Sequence, residues 1–378
     1  MAINKTDKVL NVPTLRFPGF TDKWETSRLS SYLIENKERN RNNEFGKDKV
    51  LSVSGEEGIV NQIEHLGRSF AGKSVSDYHV VRHGNIVYTK SPLKEYPYGI
   101  VKYNRGVDGI VSTLYAVYES KDSSYGPFVE YYFALATRVN RYFKPIVRIG
   151  AKHDMKIGNE EVLQNTVIFP NIEEQKKIAD FLSLLDERIA LQSKLIDRLK
   201  SLMDGIIDKV TALTPNISIR DCLDCYSSTL QECETEEQGT YPVYGANGVC
   251  GYLDYATISA PAILIVKDGS GVGNVSYANG DCSVVGTLNY LQPKKDVSAK
   301  FLYFVLKRFN FQPYKTGMAI PHIYFKAYSK TRIFCPDYEE QTRMAASLSR
   351  IEDKIALEER LLCLQKEQKH YLLSAMFI

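Results

Sequence analysis

Apolar residues recur at alternating steps of four and three along two stretches of the chain. In the first stretch the stripe is Ile178, Leu182, Leu185, Ile189, Ile196, Leu199, Met203 and Ile206, and only Gln192 breaks it. In the second it is Met344, Leu348, Ile351, Ile355, Leu362 and Leu372, with Glu358, Gln365 and Lys369 at seam positions. This spacing is an a/d heptad seam and predicts two long coiled-coil helices rather than broad globular faces. Each stretch opens the same way, with Pro170-Asn171-Ile172-Glu173-Glu174-Gln175 returning as Pro336-Asp337-Tyr338-Glu339-Glu340-Gln341. Asn171 and Asp337 are the expected N-caps, and the glutamate pairs belong in the first turn, where the helix dipole favours negative charge.

The segments ahead of each helix have a different period. Short β-rich runs (Val80-Val81, Asn85–Tyr88, Gly109–Tyr115, Ala262–Val266) alternate with Gly, Asn, Pro and Ser. Helical stretches near Phe128–Ala136 and Lys300–Phe309 interrupt them, so the pattern is α+β rather than a regular βαβ alternation. The repeat extends into these segments, because Tyr103-Asn104-Arg105-Gly106 resembles Tyr277-Ala278-Asn279-Gly280. The chain therefore reads as two divergent copies of one unit, each ending in a long helix. For the second helix to bury its seam it must fold back on the first, giving an antiparallel pair with one β-rich domain at each end. At about 1.5 Å per residue such helices span roughly 50 Å, about one and a half turns of duplex DNA.

Composition adds limits. At 378 residues, 44% hydrophobic and 25% charged, the chain accommodates two globular domains plus the helices. It carries no apolar run of membrane length and no secretory-type start, and its seven cysteines do not suggest a disulfide framework, so a reducing cytoplasm is expected. The net charge of +3 is too small to imply nucleic acid by itself. Basic residues do cluster with aromatics, as Arg138, Arg141, Lys144, Arg148 and Lys152 with Tyr142 and Phe143. A second cluster places Lys307, Arg308, Lys315 and Lys326 among Phe309, Phe311, Tyr314 and Tyr324. Either cluster suits a polyanion or a solvated face.

Two motifs invite other chemistry. Gly67–Ser74 satisfies the phosphate-loop pattern, but that loop needs a hydrophobic strand before it and a helix after it, whereas Asn61–Leu66 is mostly polar and Val75–Val80 reads as turn and strand. Cys222-Leu223-Asp224-Cys225 has no matching second pair, so isolated thiols are expected rather than a metal site.

The chain resembles the specificity subunit of type I restriction–modification systems over nearly its whole length. The resemblance is carried by the two Pro-x-x-Glu-Glu-Gln openings, Leu15–Phe20, Val80–Tyr88, Tyr241–Gly248 and Asp268–Asn274. It implies an arm over residues 1–20, target recognition domains over 21–171 and 211–336, and helices over 172–210 and 337–378. It also implies recognition of a bipartite, asymmetric site in double-stranded DNA, with the helices docking two methyltransferase subunits that restriction subunits join. The subunit itself would be non-catalytic and would hold no metal, with S-adenosylmethionine, ATP and Mg on the partners. Consistent with that expectation, the sequence carries no Asn/Asp-Pro-Pro-aromatic methyltransferase motif.

The candidate DNA-contacting residues are Arg68, Lys73, Lys90, Arg105, Arg148 and Lys152 in the first domain. In the second they are Asn247, Lys267, Asp268, Ser270, Asn274, Lys315 and His322. Lysine and arginine would bind phosphates, and the polar residues would read base edges. Two alternatives remain at this point: a free-standing DNA-binding or regulatory protein, and a nucleotide-binding enzyme using Gly67–Ser74.

Overall fold

The structure, a computed structural model, describes residues 11–149 and 155–378. It contains two compact units, one holding the chain up to Ala190 together with Cys363–Ile378 and the other Leu191–Leu362. The long helices run Ile172–Thr211 and Tyr338–Ala375. The first unit thus holds the start of the first helix and the end of the second, and the second unit holds the reverse. That assortment is the one an antiparallel pair requires. The units cut across the five segments expected from the sequence, because each takes in part of both helices.

Both helices begin as their sequences predict. Asn171 Oδ1 accepts the Glu174 N–H at 3.0 Å, and Asp337 Oδ1 accepts the Glu340 N–H at 2.9 Å. The glutamine closing each repeated motif does more. Gln175, buried, accepts the Tyr125 N–H and donates to Ser123 O and Pro170 O, each at 3.0 Å. Gln341, also buried, accepts the Ser298 N–H and donates to Pro336 O, both at 2.8 Å. Tyr125 and Ser298 are the N-caps of the domain helices Gly126–Tyr132 and Ala299–Lys307. One side chain therefore fastens each long helix to the N-terminus of its domain's own helix, satisfying backbone donors that would otherwise lack partners.

The heptad seam is divided between the cores of the two units. Ile178, Leu182 and Leu185 are buried with Trp24, Phe128 and Phe169 in the first, where Leu372, Leu373 and Phe377 join them. Ile196 and Met203 are buried with Leu348, Ile355 and Phe301 in the second. Ile189, Leu199, Ile351 and Leu362 are half-buried beside these clusters. Gln192 and Glu358, the seam polar residues, hydrogen-bond to each other, and Lys369 pairs with Asp186. A buried polar pair of this kind fixes register at some cost in stability.

Each unit has a four-stranded antiparallel sheet with the same order. In the first it is Leu33–Glu35, Tyr115–Ser120, Ile86–Thr89, Val101–Tyr103, and in the second Leu223–Ser227, Leu288–Pro293, Ala262–Val266, Val275–Ala278. Each also closes with a two-stranded ladder between its first and last strands, Glu25–Arg28 with Thr166–Phe169 and Ile217–Ser218 with Arg332–Ile333. Register matches as well, since Ile86 faces Tyr103 and Ile263 faces Tyr277. The matching ends of these strands confirm the Tyr103/Tyr277 repeat. A further tie recurs, in which Tyr131 OH donates to Asp186 at 2.8 Å and Tyr303 OH to Glu352 at 2.6 Å.

Three sequence expectations need correction. The run Gly109–Tyr115 is two strands, Gly109–Val111 and Tyr115–Ser120, joined by a turn in which Tyr115 N–H bonds Ser112 O at 3.0 Å. The helical stretch Phe128–Ala136 is also two elements, Gly126–Tyr132 and Ala136–Phe143. Neither basic cluster is a free face as a whole. Arg138 is buried, donating to Tyr132 O and to Leu373 O near the end of the second long helix, and burial lowers its pKa to about 10. Lys307 pairs with Glu352 at 3.1 Å and Arg308 with Asp208 at 2.9 Å, so both hold the second domain to its helices.

Candidate nucleic-acid interface

In the second unit the central strand Ala262–Val266 runs into a glycine-rich loop closed on itself. Gly273 N–H bonds Val266 O at 2.9 Å, Val266 N–H bonds Asn274 O at 3.0 Å, and Asn274 N–H bonds Gly271 O at 2.9 Å. Gly269 and Gly273 have φ of +96° and +92°, the left-handed region where a side chain is strained. A second loop is strapped across the first: Gly269 N–H bonds Pro321 O and Ile323 N–H bonds Lys267 O, each at 2.9 Å. That second loop is a closed hairpin, with Thr316 and His322 exchanging backbone hydrogen bonds at 2.9 and 2.8 Å. Gly317 turns it at φ +87°, and a Cβ there would collide with the Ile320 carbonyl oxygen.

This pair of loops brings together six of the seven candidates proposed for the second domain: Lys267, Asp268, Ser270, Asn274, Lys315 and His322. Ser270 and Asn274 are exposed, and the other four are half-exposed. Lys267, Lys315 and Lys326 make no ion pair among the described residues, so their charge is available to an anion. Asn247 stands apart, exposed at the tip of the hairpin between Tyr241–Gly245 and Gly248–Leu253.

The first unit distributes its candidates differently. Lys90 follows strand Ile86–Thr89 as Lys267 follows Ala262–Val266, but its ammonium is half-buried on Asn159 Oδ1 at 2.8 Å. Asn159 in turn donates to Glu35 at 2.8 Å, and burial holds the Lys90 pKa below the ordinary lysine value. Arg105 is bonded to the buried Glu130 and lies 5.3 Å from the Tyr103 ring, so it serves the packing of strand on helix. Arg68 and Lys73 are exposed on the loop after the short helix Gln62–Leu66, and Arg68 stacks 4.5 Å over the exposed Phe70 ring. Arg148 is exposed and lines an open depression of about 560 Å³ with Lys156, Glu161 and Gln164. Lys152 lies outside the described residues.

The phosphate-loop match at Gly67–Ser74 has the wrong surroundings. A helix precedes it and a loop leading to strand His79–Val81 follows it, so no helix N-terminus faces the loop. Cys222 is buried, and its thiol pKa is raised chiefly by a hydrogen bond to Cys335 and then by burial; its sulfur partner is not Cys225. No cluster of three or more metal-ligating side chains occurs among the described residues.

Sequence reasoning missed two features of the interface. Met318, Ile320 and Tyr324 are strongly exposed on and beside the hairpin Thr316–His322. Their signal was an apolar run between Gly317 and Pro321 in a segment too short and too turn-rich to be an element. The other is the hairpin Leu51–Ser54/Gly58–Asn61, whose tip Gly55-Glu56-Glu57-Gly58 corresponds in the first unit to the Asn247 tip in the second. Its acidic residues did not suggest a DNA contact.

A family model described as the type I restriction modification DNA specificity domain matches residues 21–201 and 224–363. A curated relative, the type I restriction enzyme EcoprrI specificity subunit of Escherichia coli, is 24% identical over 117 residues, 31% of this chain and 29% of the relative. The matched stretch thus spans less than a third of that relative's length. Among solved structures, the type I restriction-modification S subunit from M. genitalium aligns with a TM-score of 0.66 at 16% identity, covering 97% of this chain and 99% of that one. A chain from a structure concerned with complex assembly and conformational transition of the type I R-M system aligns at 0.52 with 15% identity, over 94% and 97%. Identities this low speak for a shared fold, and the family model covers most of the sequence: this chain belongs to the type I restriction modification DNA specificity domain family.

Proposed function

We propose that the chain is the sequence-specific DNA-binding subunit of a type I restriction–modification complex, reading a bipartite, asymmetric site with its two units. The observation that carries this reading is the duplication with divergence. The two units repeat strand order, helix attachment and the tyrosine–carboxylate tie. Yet they differ in the loop after the central strand, where Lys90 is bonded to Asn159 while Lys267 is strapped to Ile323, and in the hairpin tips Gly55–Gly58 and Asn247. A shared scaffold with unlike loops is suited to two unlike half-sites. The subunit is non-catalytic in this reading, and S-adenosylmethionine, ATP and Mg belong to its partners. No helix among the described residues is long and apolar enough to cross a membrane; a cytoplasmic location is part of the same proposal.

The long helices supply the docking surface for two methyltransferase subunits, which restriction subunits then join. Besides the buried seam, the first helix carries a second apolar stripe that is exposed, with Leu184 in the first unit and Leu191, Leu195 and Leu202 in the second. Leu357 and Leu364 are similarly exposed on the second helix. Apolar side chains at heptad spacing with no helix against them fit a partner helix.

The test is co-expression with the cognate methyltransferase subunit, followed by mapping of methylated adenines in genomic DNA. Methylation of a split, asymmetric motif, half of which changes when residues 216–335 are exchanged, is the expected result. DNA binding by the isolated chain with no methyltransferase complex would favour a free-standing DNA-binding protein instead.

A further inference from the structure

Met318 and Ile320 sit at the tip of the hairpin Thr316–His322 with relative exposures of 105% and 68%. Single exposed apolar side chains are ordinary on protein surfaces. These two differ because the backbone that presents them is fixed. The hairpin is closed by two Thr316–His322 hydrogen bonds and pinned to the neighbouring loop through Gly269 to Pro321 and Lys267 to Ile323. It turns at a glycine whose position excludes a Cβ, so the tip cannot easily relax to fold its side chains inward. Ala319 is exposed between them, and Tyr324, 62% exposed, follows the loop.

The surroundings identify what covers this tip. Lys315, His322 and Lys326 flank it in the chain, and Lys267 is hydrogen-bonded to the residue after His322. An apolar tip on a basic base fits a ligand that is anionic on its outside and apolar further in. A lipid surface has this layering too, but one seven-residue hairpin offers too little apolar area to anchor a protein on it. The DNA duplex has the layering at the scale of a single loop, with phosphates at the rim of a groove and thymine methyls and base faces within it.

We infer that the Thr316–His322 hairpin is a base-contacting probe, which places Met318 and Ile320 against the apolar part of bases while Lys315, Lys326 and Lys267 hold the flanking phosphates. This rests on the reading of the chain as a DNA-recognition subunit. It assigns to the second unit a form of readout that its polar candidates do not supply. Asp268, Ser270 and Asn274 exchange hydrogen bonds with base edges, whereas Met318 and Ile320 distinguish bases by methyl groups and stacking.

The test uses the full chain assembled with its methyltransferase subunit and the motif identified by methylation mapping. Affinity for a duplex carrying that motif is measured over a range of salt concentrations for the wild type, M318A/I320A and K315A. The double variant is expected to bind about ten-fold or more weakly, the loss typical of a base contact, with an unchanged slope of log K against log salt. K315A is expected to reduce that slope by about one, as for a lost phosphate contact. Replacing thymine by deoxyuridine in the half-site read by the second unit reproduces the loss if a methyl group is the target. Enhanced 2-aminopurine fluorescence, abolished in M318A/I320A, indicates an opened base step instead. Unchanged affinity of M318A/I320A for the motif overturns the inference while leaving the DNA-recognition reading intact, and absence of motif binding by the wild-type complex overturns that reading first. The conservative pair M318L/I320V guards against misfolding: near-normal affinity there, with loss in the alanine pair, supports contact by the apolar side chains. Equal loss in both pairs with unaltered circular dichroism overturns it.

Discussion

Lys90 and Lys267 leave equivalent ends of equivalent strands, one in each unit, and do different things. Lys90 turns back into the first unit, where Asn159 and Glu35 hold it, and burial lowers its pKa. Lys267 remains on a loop cluster beside Lys315 and His322, with no ion pair among the described residues. Other cations do not follow this contrast. In the first unit Arg16 pairs with Glu174, Arg105 with Glu130, and Arg82 with Glu38, Glu44 and Asp108. In the second unit Lys307 pairs with Glu352 and Arg308 with Asp208, so both units commit cations to their own carboxylates and the contrast is local to these two strand ends. Duplication preserved the scaffold, while the task of each basic position depends on the carboxylates that the neighbouring loops bring.

The sharpest break in the comparison is at the helix openings. Glu174 is buried and receives a bidentate contact from Arg16, two bonds at 2.7 Å, whereas its counterpart Glu340 is half-exposed and among the described residues pairs with Arg343 at 3.2 Å. Arg16→Ala leaves a buried carboxylate without its cation and is expected to destabilise the first unit by about 3–5 kcal/mol. Arg343→Ala, on an exposed pair, is expected to cost under about 1 kcal/mol. Hydrogen exchange resolved by unit is the suitable measurement, since two units need not unfold as one; equal protection changes in the two variants would refute the asymmetry.

His79 gives the first unit a pH response from a buried histidine, whereas His322 of the second unit is half-exposed. His79 is buried, its pKa is lowered to about 4 by burial and then by Arg39 and Lys90, and its Nδ1 has no hydrogen-bond partner among the described residues. An unfolded histidine titrates at about 6.5, so between there and pH 4 the unfolded chain binds a proton that the folded unit refuses. Stability from this group is present above about pH 6.5 and falls with pH until about 4, by roughly 2–3 kcal/mol at most. His79→Phe is expected to flatten that part of the profile of the first unit, and a slope unchanged by the substitution would show that other groups cause it.

Where the units are alike, their variants are expected to agree. Gln175→Ala and Gln341→Ala each remove a buried amide that satisfies backbone groups at a domain helix, at a cost of about 1–3 kcal/mol. A loss confined to one unit would mean that the repeated bonds are not equivalent. The smallest effects separate Lys90 from Lys267. Lys90→Ala is expected to lower first-unit stability by about 1 kcal/mol without changing the salt dependence of DNA binding. Lys267→Ala should leave stability unchanged and reduce the salt slope by about one; the reverse assignment would invert the comparison.

Much of the scaffold was legible in the residues. The heptad spacing of Ile178 through Met203 and the repeated Glu-Glu-Gln openings identified both long helices, their caps and the duplication, because helix period and capping are local properties of a sequence. The Tyr103/Tyr277 repeat likewise marked the two β-rich domains as divergent copies of one fold, and the structure gives them one strand order. The glycines Gly269, Gly273 and Gly317 also marked both second-domain loops in the sequence, because a positive φ favours glycine.

Which charges are free, and which loops meet, was settled by tertiary structure alone. Nothing near Arg105 or Lys90 in sequence announced Glu130 or Asn159, and Arg138 looked like a surface cation until Leu373 O and Tyr132 O were seen to enclose it. The strap joining Gly269 to Pro321 links residues far apart in the chain, and it turns Met318 and Ile320 from an unremarkable apolar run into a presented tip. Local pattern fixes the period of an element and how it ends. The partners of a side chain depend on contacts between distant segments, which exist only after the chain has closed on itself.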